Sequence, residues 1–379
     1  MTLLESVPNF SEGRDPQVME RLAAAATAGG AFVLDSSADP DHNRLVLSLA
    51  GSVSLSDGVF AAVAAAAESI DLGRHSGVHP RRGAADVIPF VPLGSSTLEE
   101  AAAAARALGD RIWDELHVPV HFYGAASPSA PRTLAEIRSG NPPPFDLGGA
   151  SHPTAGSVAV GARPPLVAYN LVLNGVEIEE ARRLAASLRE SAGGVPGILA
   201  LVFRVSAGIQ LSMNLTRLGE TPPGRAFEEA WKRLPPGATI ASEEVVGLCP
   251  ASAAAGCPGA DGRLLESRLS AAAARAAARA CRDRGTGSAG SEEMARLASR
   301  LEEEGESLAG LGFDDVLAGA ERCAALRLVL RAGRVSSDGL ELLLAVAGRG
   351  FAEAISSGVR KSFPERMAAL DERIAALDP

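Results

Sequence analysis

Aromatic residues make up only 4% of the 379-residue chain, so its interior has to be filled by Ala, Leu and Val, within a hydrophobic share of 46%. Cysteine is also scarce. Cys249, Cys257, Cys281 and Cys323 all lie beyond residue 248 and form no Cys-x-x-Cys pair, which argues against a disulfide scaffold or a zinc site. Positive charge is not in excess: the net charge is −10, which argues against nucleic-acid binding but permits a local basic pocket for a small anion. No uncharged apolar run reaches about 18 residues, so no membrane span is expected. Met1–Glu5 lacks the basic start and apolar run of a secretion signal, and a cytoplasmic protein is expected. There is no Gly-Lys-Ser/Thr phosphate loop, dinucleotide fingerprint or Gly-x-Ser-x-Gly elbow. No histidine follows His152, so the C-terminal third reads as structural.

Hydrophobic periodicity and turn residues predict one order of elements twice. In the first stretch, strand 3–8 leads into helix 15–28, which opens on Asp15-Pro16. Strands 31–36 and 44–50, helix 53–70 and strand 86–92 follow. In the second, strand 165–173 precedes helix 177–191, strands 196–205 and 209–216, helix 225–234 and strand 239–247. Both read β-α-β-β-α-β, the ferredoxin-like order. Between them the pattern gives helix 97–116, strand 118–123, helix 130–138 and a Pro/Gly-rich connector over 141–161. Beyond about residue 263 only helices are expected: 267–282, then 291–306, 313–330, 336–358 and 363–377, with a breaker at 285–290. The expected class is α+β, with units at 1–162 and 163–262 and a helical region at 263–379.

Four polar clusters stand out. The densest spans Asp71, Arg74, His75, His79, Arg81, Arg82 and Asp86, shaped by Gly77, Pro80 and Gly83. Histidine exchanges protons near neutrality and arginine binds carboxylates in pairs of parallel hydrogen bonds, so this loop suits proton transfer on an anionic substrate. A solvated basic loop is the plainer reading. Metal binding by His75 and His79 is disfavoured, because Gly77 and Pro80 oppose a helix and no third ligand is adjacent. The other clusters are Asp39-Pro40-Asp41-His42-Asn43-Arg44, Val7–Arg14 and Gly156–Arg163. The first is also explained as an ordinary turn, and the second as a strand-to-helix connection.

Taken in order, Val7-Pro8-Asn9-Phe10-Ser11-Glu12-Gly13-Arg14, Asp41-His42-Asn43-Arg44, Arg74–Asp86, Arg132–Arg138, Gly161-Ala162-Arg163 and Tyr169-Asn170 resemble the glutamate formimidoyltransferase family. The resemblance runs from about residue 4 to about residue 250. It implies two α/β subdomains with the ligand between them, and transfer of a formimidoyl group from N-formimidoyl-L-glutamate to N5 of tetrahydrofolate, in histidine degradation. Tetrahydrofolate is then a substrate and no metal is expected. The matching loop puts the catalytic role on His79, with Asn9, Asp39, Asn43, Arg44, Arg74, Arg81, Gly156, Arg163 and Asn214 as binding candidates. A homodimer is expected. An acidic residue of mammalian members aligns with Ser37, two positions before Asp39. The helical region lacks the Gly-Gly-Gly-Ser segment of the cyclodeaminase type, so that second activity is not expected. A transferase using formimidoylglycine or 5-formyltetrahydrofolate, or a non-catalytic folate-binding protein, remains an alternative.

Overall fold

The computed structural model describes residues 2–78, 81–139, 141–285, 291–332, 335 and 337–356. His79 lies outside them, as does the helix expected over 363–377. The chain opens with β1 (Leu3–Ser6) and β2 (Asn9–Phe10), α1 (Pro16–Ala28), β3 (Phe32–Asp39), β4 (Arg44–Gly51), α2 (Leu55–Ser69) and β5 (Ala85–Leu93). The expected strand 3–8 is thus divided at Val7-Pro8, because Pro8 has no N–H to give; its carbonyl still accepts from Leu47 N. Then come α3 (Leu98–Leu116), β6 (Val120–Gly124), α4 (Leu134–Ile137) and β7 (Val158–Ala162). Asp15 caps α1 through Gln17 N, and Thr97 and Glu100 form a capping box at the start of α3.

The connector expected over 141–161 holds a strand that periodicity does not reveal. β7 inserts between β5 and β6 and pairs with both in parallel. It is buried on both faces, so its residues show no polar alternation. Gly161 allows this placement, since the Tyr123 ring lies over its backbone and a Cβ would stand 2.4 Å from Cδ1 of that ring. The first sheet therefore runs β3-β4-β1/β2-β5-β7-β6.

The second sheet is built from β8 (Val167–Asn174), β9 (Ile198–Val205), β10 (Gly208–Leu215) and β11 (Thr239–Val246), with α5 (Ile178–Leu188) and α6 (Pro223–Lys232) over one face. Its strands lie in the order β11-β8-β10-β9, all antiparallel. Each sheet buries an aliphatic core beneath its helices: Phe10, Leu45, Leu47 and Leu49 in the first, Tyr169, Leu171, Leu173 and Leu184 in the second.

The helical region comprises α7 (Leu265–Gly285), α8 (Ser291–Ala309), α9 (Val316–Ala332) and α10 (Asp338–Ala354). It packs on both sheets' units. Leu265, Leu269 and Leu344 share a core with Leu3, Leu34, Ala50 and Leu93 of the first sheet. Val316, Ala320 and Phe351 belong to the core of the second. Arg263, just before α7, donates to Asp35 (3.2 Å) and Ser37 (2.9 Å) of β3. Glu266 is buried within this junction, accepts from Ala251 N at 2.8 Å, and is pushed up to about 7 by burial. No helix of the described residues is long and apolar enough to cross a membrane.

Phe351 is fully buried where α10 meets the second core. Phe351→Ala should lower unfolding free energy by about 3–5 kcal/mol, the usual range for an aromatic deletion in a core. Urea unfolding measures this; a loss no larger than that of a surface substitution would show α10 to be a peripheral attachment.

Candidate active site

The two units meet through a set of directed polar contacts between the 39–44 turn, β4 and the open face of the second sheet. On the first unit this junction carries Arg44 and Ser48 of β4, with His42 in the turn before it. On the second it carries Asn170 of β8, Gln210 of β10 and Glu244 of β11. His42 Nε2 pairs with Gln210 Oε1 at 2.8 Å, and the His42 ring meets Phe203 of β9 edge-on, with centroids 5.0 Å apart. Glu244 and Asp39 both act electrostatically on Arg44, opposing the effect of burial, which lowers its pKa. Asp41 Oδ2 accepts from both Ser206 N (2.9 Å) and Ser206 Oγ (2.7 Å), in the turn joining β9 to β10.

Beside this cleft lies a buried arginine cluster, centred on Asp86. Asn9 pairs with Val87 and Phe10 with Ala85, which leaves Asp86 as the extra residue of a β-bulge. Its carboxylate is 2% exposed. It accepts from Arg138 Nη2 at 2.6 Å, Arg82 N at 2.8 Å and Arg81 Nη1 at 3.3 Å. Burial would raise its pKa, but Arg138 and Arg81 outweigh that and hold it below the usual carboxylate value. The Arg81 side chain is only 3% exposed, and burial brings its pKa down to about 10, so it stays cationic at neutral pH. Among the described residues, Nε and Nη2 of Arg81 and Nε of Arg44 have no hydrogen-bond partner. Buried cationic donors left open in this way favour an anionic ligand with acceptor oxygens.

The sequence-predicted residues divide by location. Arg44 and Arg81 come together, and Asp39 faces them from the end of β3. Ser37 is further back on the same face of β3, where it donates to Asp35 Oδ2 and accepts from Arg263. It is Asp39, not Ser37, that lies beside Arg44 and His42. Asn43 is buried and left-handed (φ 46°), and it joins three segments: Oδ1 accepts from Gly13 N and Nδ2 donates to Ser76 O. Gly156, also with positive φ (69°), sits against the carbonyl of Arg82, which a Cβ would approach to 2.2 Å. It supports the 82–84 backbone.

The remaining candidates make other side-chain contacts. Asn9 donates to the nearby Val7 carbonyl. Arg74 is 89% exposed and pairs with Asp71. Arg163 follows β7 and interacts with Tyr123 and Glu5, whose carboxyl burial pushes up to about 7. Asn214 is exposed, four residues along β10 from Gln210. His75 donates through Nε2 to the Asn43 carbonyl at 3.0 Å. Arg138, Ser206, Gln210 and Glu244 were not singled out for the site. Arg138 lies within a matched motif, and Ser206 and Gln210 within the stretch 206–214 that the resemblance ties to folate contact; these three and Glu244 gain their meaning from distant partners, 74 to 168 residues away for the last three.

Comparison with known proteins matches the chain to one family. A family model described as "Formiminotransferase domain, N-terminal subdomain" matches residues 3–163. The glutamate formimidoyltransferase of Thermoplasma acidophilum is 39% identical over 278 residues, covering 67% of this chain and 90% of that protein. That of Streptococcus pyogenes serotype M1 is 36% identical over 269 residues, covering 66% and 90%. The formimidoyltransferase-cyclodeaminase of Mus musculus is 35% identical over 279 residues, but this chain spans about half of it, 51%. With nine-tenths of two relatives covered at these identities, the chain belongs to the glutamate formimidoyltransferase family.

Proposed function

We propose that this protein transfers the formimidoyl group of N-formimidoyl-L-glutamate to N5 of tetrahydrofolate, giving 5-formimidoyltetrahydrofolate and L-glutamate in histidine degradation. The observation that carries the reading is the 39% identity to a glutamate formimidoyltransferase along nine-tenths of that relative's length. The buried pair Arg44 and Arg81, with donors open beside a polar cleft, supports it, because both substrates are carboxylates. We take the chain as two ferredoxin-like units, 1–162 and 163–262, that hold the substrates between them, and 263–379 as their helical support.

In the proposed mechanism N5 of tetrahydrofolate attacks the formimidoyl carbon, and the tetrahedral centre then expels the glutamate amine. The attacking nitrogen loses one proton and the departing amine gains one. His79 serves both steps, as base and then as acid, a role worth about 10²–10⁴ in rate. Holding two substrates in register contributes more, with oriented pairs gaining about 7–11 kcal/mol. His79 is preferred to His75, whose Nε2 is engaged with the Asn43 carbonyl. Arg44 and Arg81 receive a donor carboxylate, and Asp39 fills the acidic role that Ser37 does not.

A formimidoyl-transfer assay tests the reading. His79→Ala should lose about 10²–10⁴ in kcat, whereas His75→Ala should lose far less. Wild type that turns over formimidoylglycine but not formimidoylglutamate would place the protein with the other donor. Arg81→Met should raise KM for the donor at least tenfold, an effect of about 1.4 kcal/mol or more, and barely change KM for tetrahydrofolate. The reverse pattern would assign the cluster to the folate.

His42 and His121 have pKa values lowered chiefly by burial. Unfolded, each takes up a proton near pH 6.5, while the folded chain resists protonation. Their contribution to stability is therefore complete above about pH 6.5 and is lost as pH falls through the depressed folded values. Glu5 and Glu266, raised by burial to about 7, act in the opposite sense, so the histidine effect is read as a difference: between pH 7 and pH 5 denaturant unfolding should show His42→Gln losing less stability on acidification than wild type. An unchanged slope in that variant would mean that His42 does not set the acid limit.

A further inference from the structure

The turn at 39–44 is bonded to three parts of the molecule at once. Towards the N-terminal segment, Asn43 Oδ1 accepts from Gly13 N (2.9 Å), and Arg14 Nε donates to the Pro40 carbonyl (2.9 Å). Towards the loop after α2, three bonds run to residues 75, 76 and 78. Asn43 Nδ2 donates to Ser76 O (3.2 Å), His75 Nε2 to Asn43 O (3.0 Å), and Val78 N to Asp41 O (3.1 Å). Gly77 lies so close that a Cβ there would stand 2.4 Å from the His42 carbonyl oxygen. Towards the second sheet, His42 pairs with Gln210, and Asp41 receives both donors of Ser206.

The third set differs in kind from the others. It joins two units that fold around separate cores, and its Asp41–Ser206 half is at the surface. Exposed side-chain hydrogen bonds contribute little to folding stability. Yet Asp41 accepts two donors through a single oxygen, and these hold its carboxyl below the usual carboxylate value. A bond pair of small folding value, joined through one short turn to segment 75–78 and to Arg44, is placed to set position rather than stability.

We infer that Asp41 and Ser206 are positioning residues: through the 39–44 turn, they couple the seating of the second sheet to the placement of segment 75–78 and Arg44. The inference rests on the transferase reading where it concerns rate, since segment 75–78 leads in sequence to His79. The coupling itself is physical and is measurable without turnover. Neither residue touches substrate in this scheme; each acts through the backbone of the turn.

The test is a double-mutant cycle on the full chain, with Asp41→Ala, Ser206→Ala and the pair together, and Asp41→Asn as the conservative variant. The first readout is hydrogen exchange by mass spectrometry on the peptide covering 74–78. Exchange there should quicken about tenfold in Asp41→Ala and less in Ser206→Ala, with the pair matching Asp41→Ala alone, because coupled residues are not additive. Ser206 is 130 residues away from Ser76 in sequence, so unchanged exchange at 74–78 in Ser206→Ala overturns the inference whether or not the protein transfers formimidoyl groups. The second readout is kcat and KM for formimidoyl transfer. kcat should fall about tenfold in Asp41→Ala, KM and Tm should change little, and Asp41→Asn, which keeps an acceptor oxygen, should recover part of the loss. Multiplicative losses in the pair, or losses that follow Tm, would make these residues merely structural. A wild type with no formimidoyl transfer at all would sink the functional reading, leaving the exchange result to decide the coupling.

Discussion

The buried carboxylate of Asp86 is the constraint around which the site is organised. A charge taken out of water persists only if it is paired and hydrogen-bonded, and here three donors surround it. Those donors are the Arg81 side chain, the Arg82 backbone N–H and the Arg138 side chain at the end of α4, so one carboxylate ties β5, the loop before it and the 134–138 segment together. Two guanidinium groups share that single counter-charge. The surplus is held by Arg81, whose Nε and Nη2 have no hydrogen-bond partner among the described residues. The bulge in β5 makes this possible by turning Asp86 out of the regular alternation of its strand.

Around this point the two sheets meet through polar residues, an arrangement with a thermodynamic cost. An apolar interface of the same extent would hold more firmly. What replaces it is a small set of directed contacts, His42 with Gln210, Asp41 with Ser206, and Glu244 acting on Arg44. The apolar adhesion is supplied by the helical region, which shares a core with each unit.

Much of this was legible in the residues. Caps at Asp15 and Thr97, alternation in β8 and β10, and the turn chemistry of 39–44 all mark their elements locally. The doubled β-α-β-β-α-β order follows from them. β7 was hidden because a central parallel strand of Val, Ala and Gly lacks alternation and sits among connector glycines and prolines. Helix 130–138 shrank to α4, since the capping box at Thr133 starts it late. Arg44 and Arg81 were visible as candidates through their clusters. The long-range contacts around them were not, because Arg138 reaches Asp86 across 52 residues and Gln210 reaches His42 across 168, distances over which no local pattern persists. Arg74 shows the converse: it looked equal to Arg81 by spacing, yet the short helical turn at Leu72–Arg74 leaves it in solvent.

The helical region has one more consequence. Because α7 is anchored on β3 while Phe351 of α10 sits in the second core, the two units are held at a fixed separation by folding itself. Joining them through a flexible linker alone would leave an effective concentration in the millimolar range. The ordering of one unit against the other, which would otherwise be lost from the affinity of each arriving substrate, is complete before either one binds.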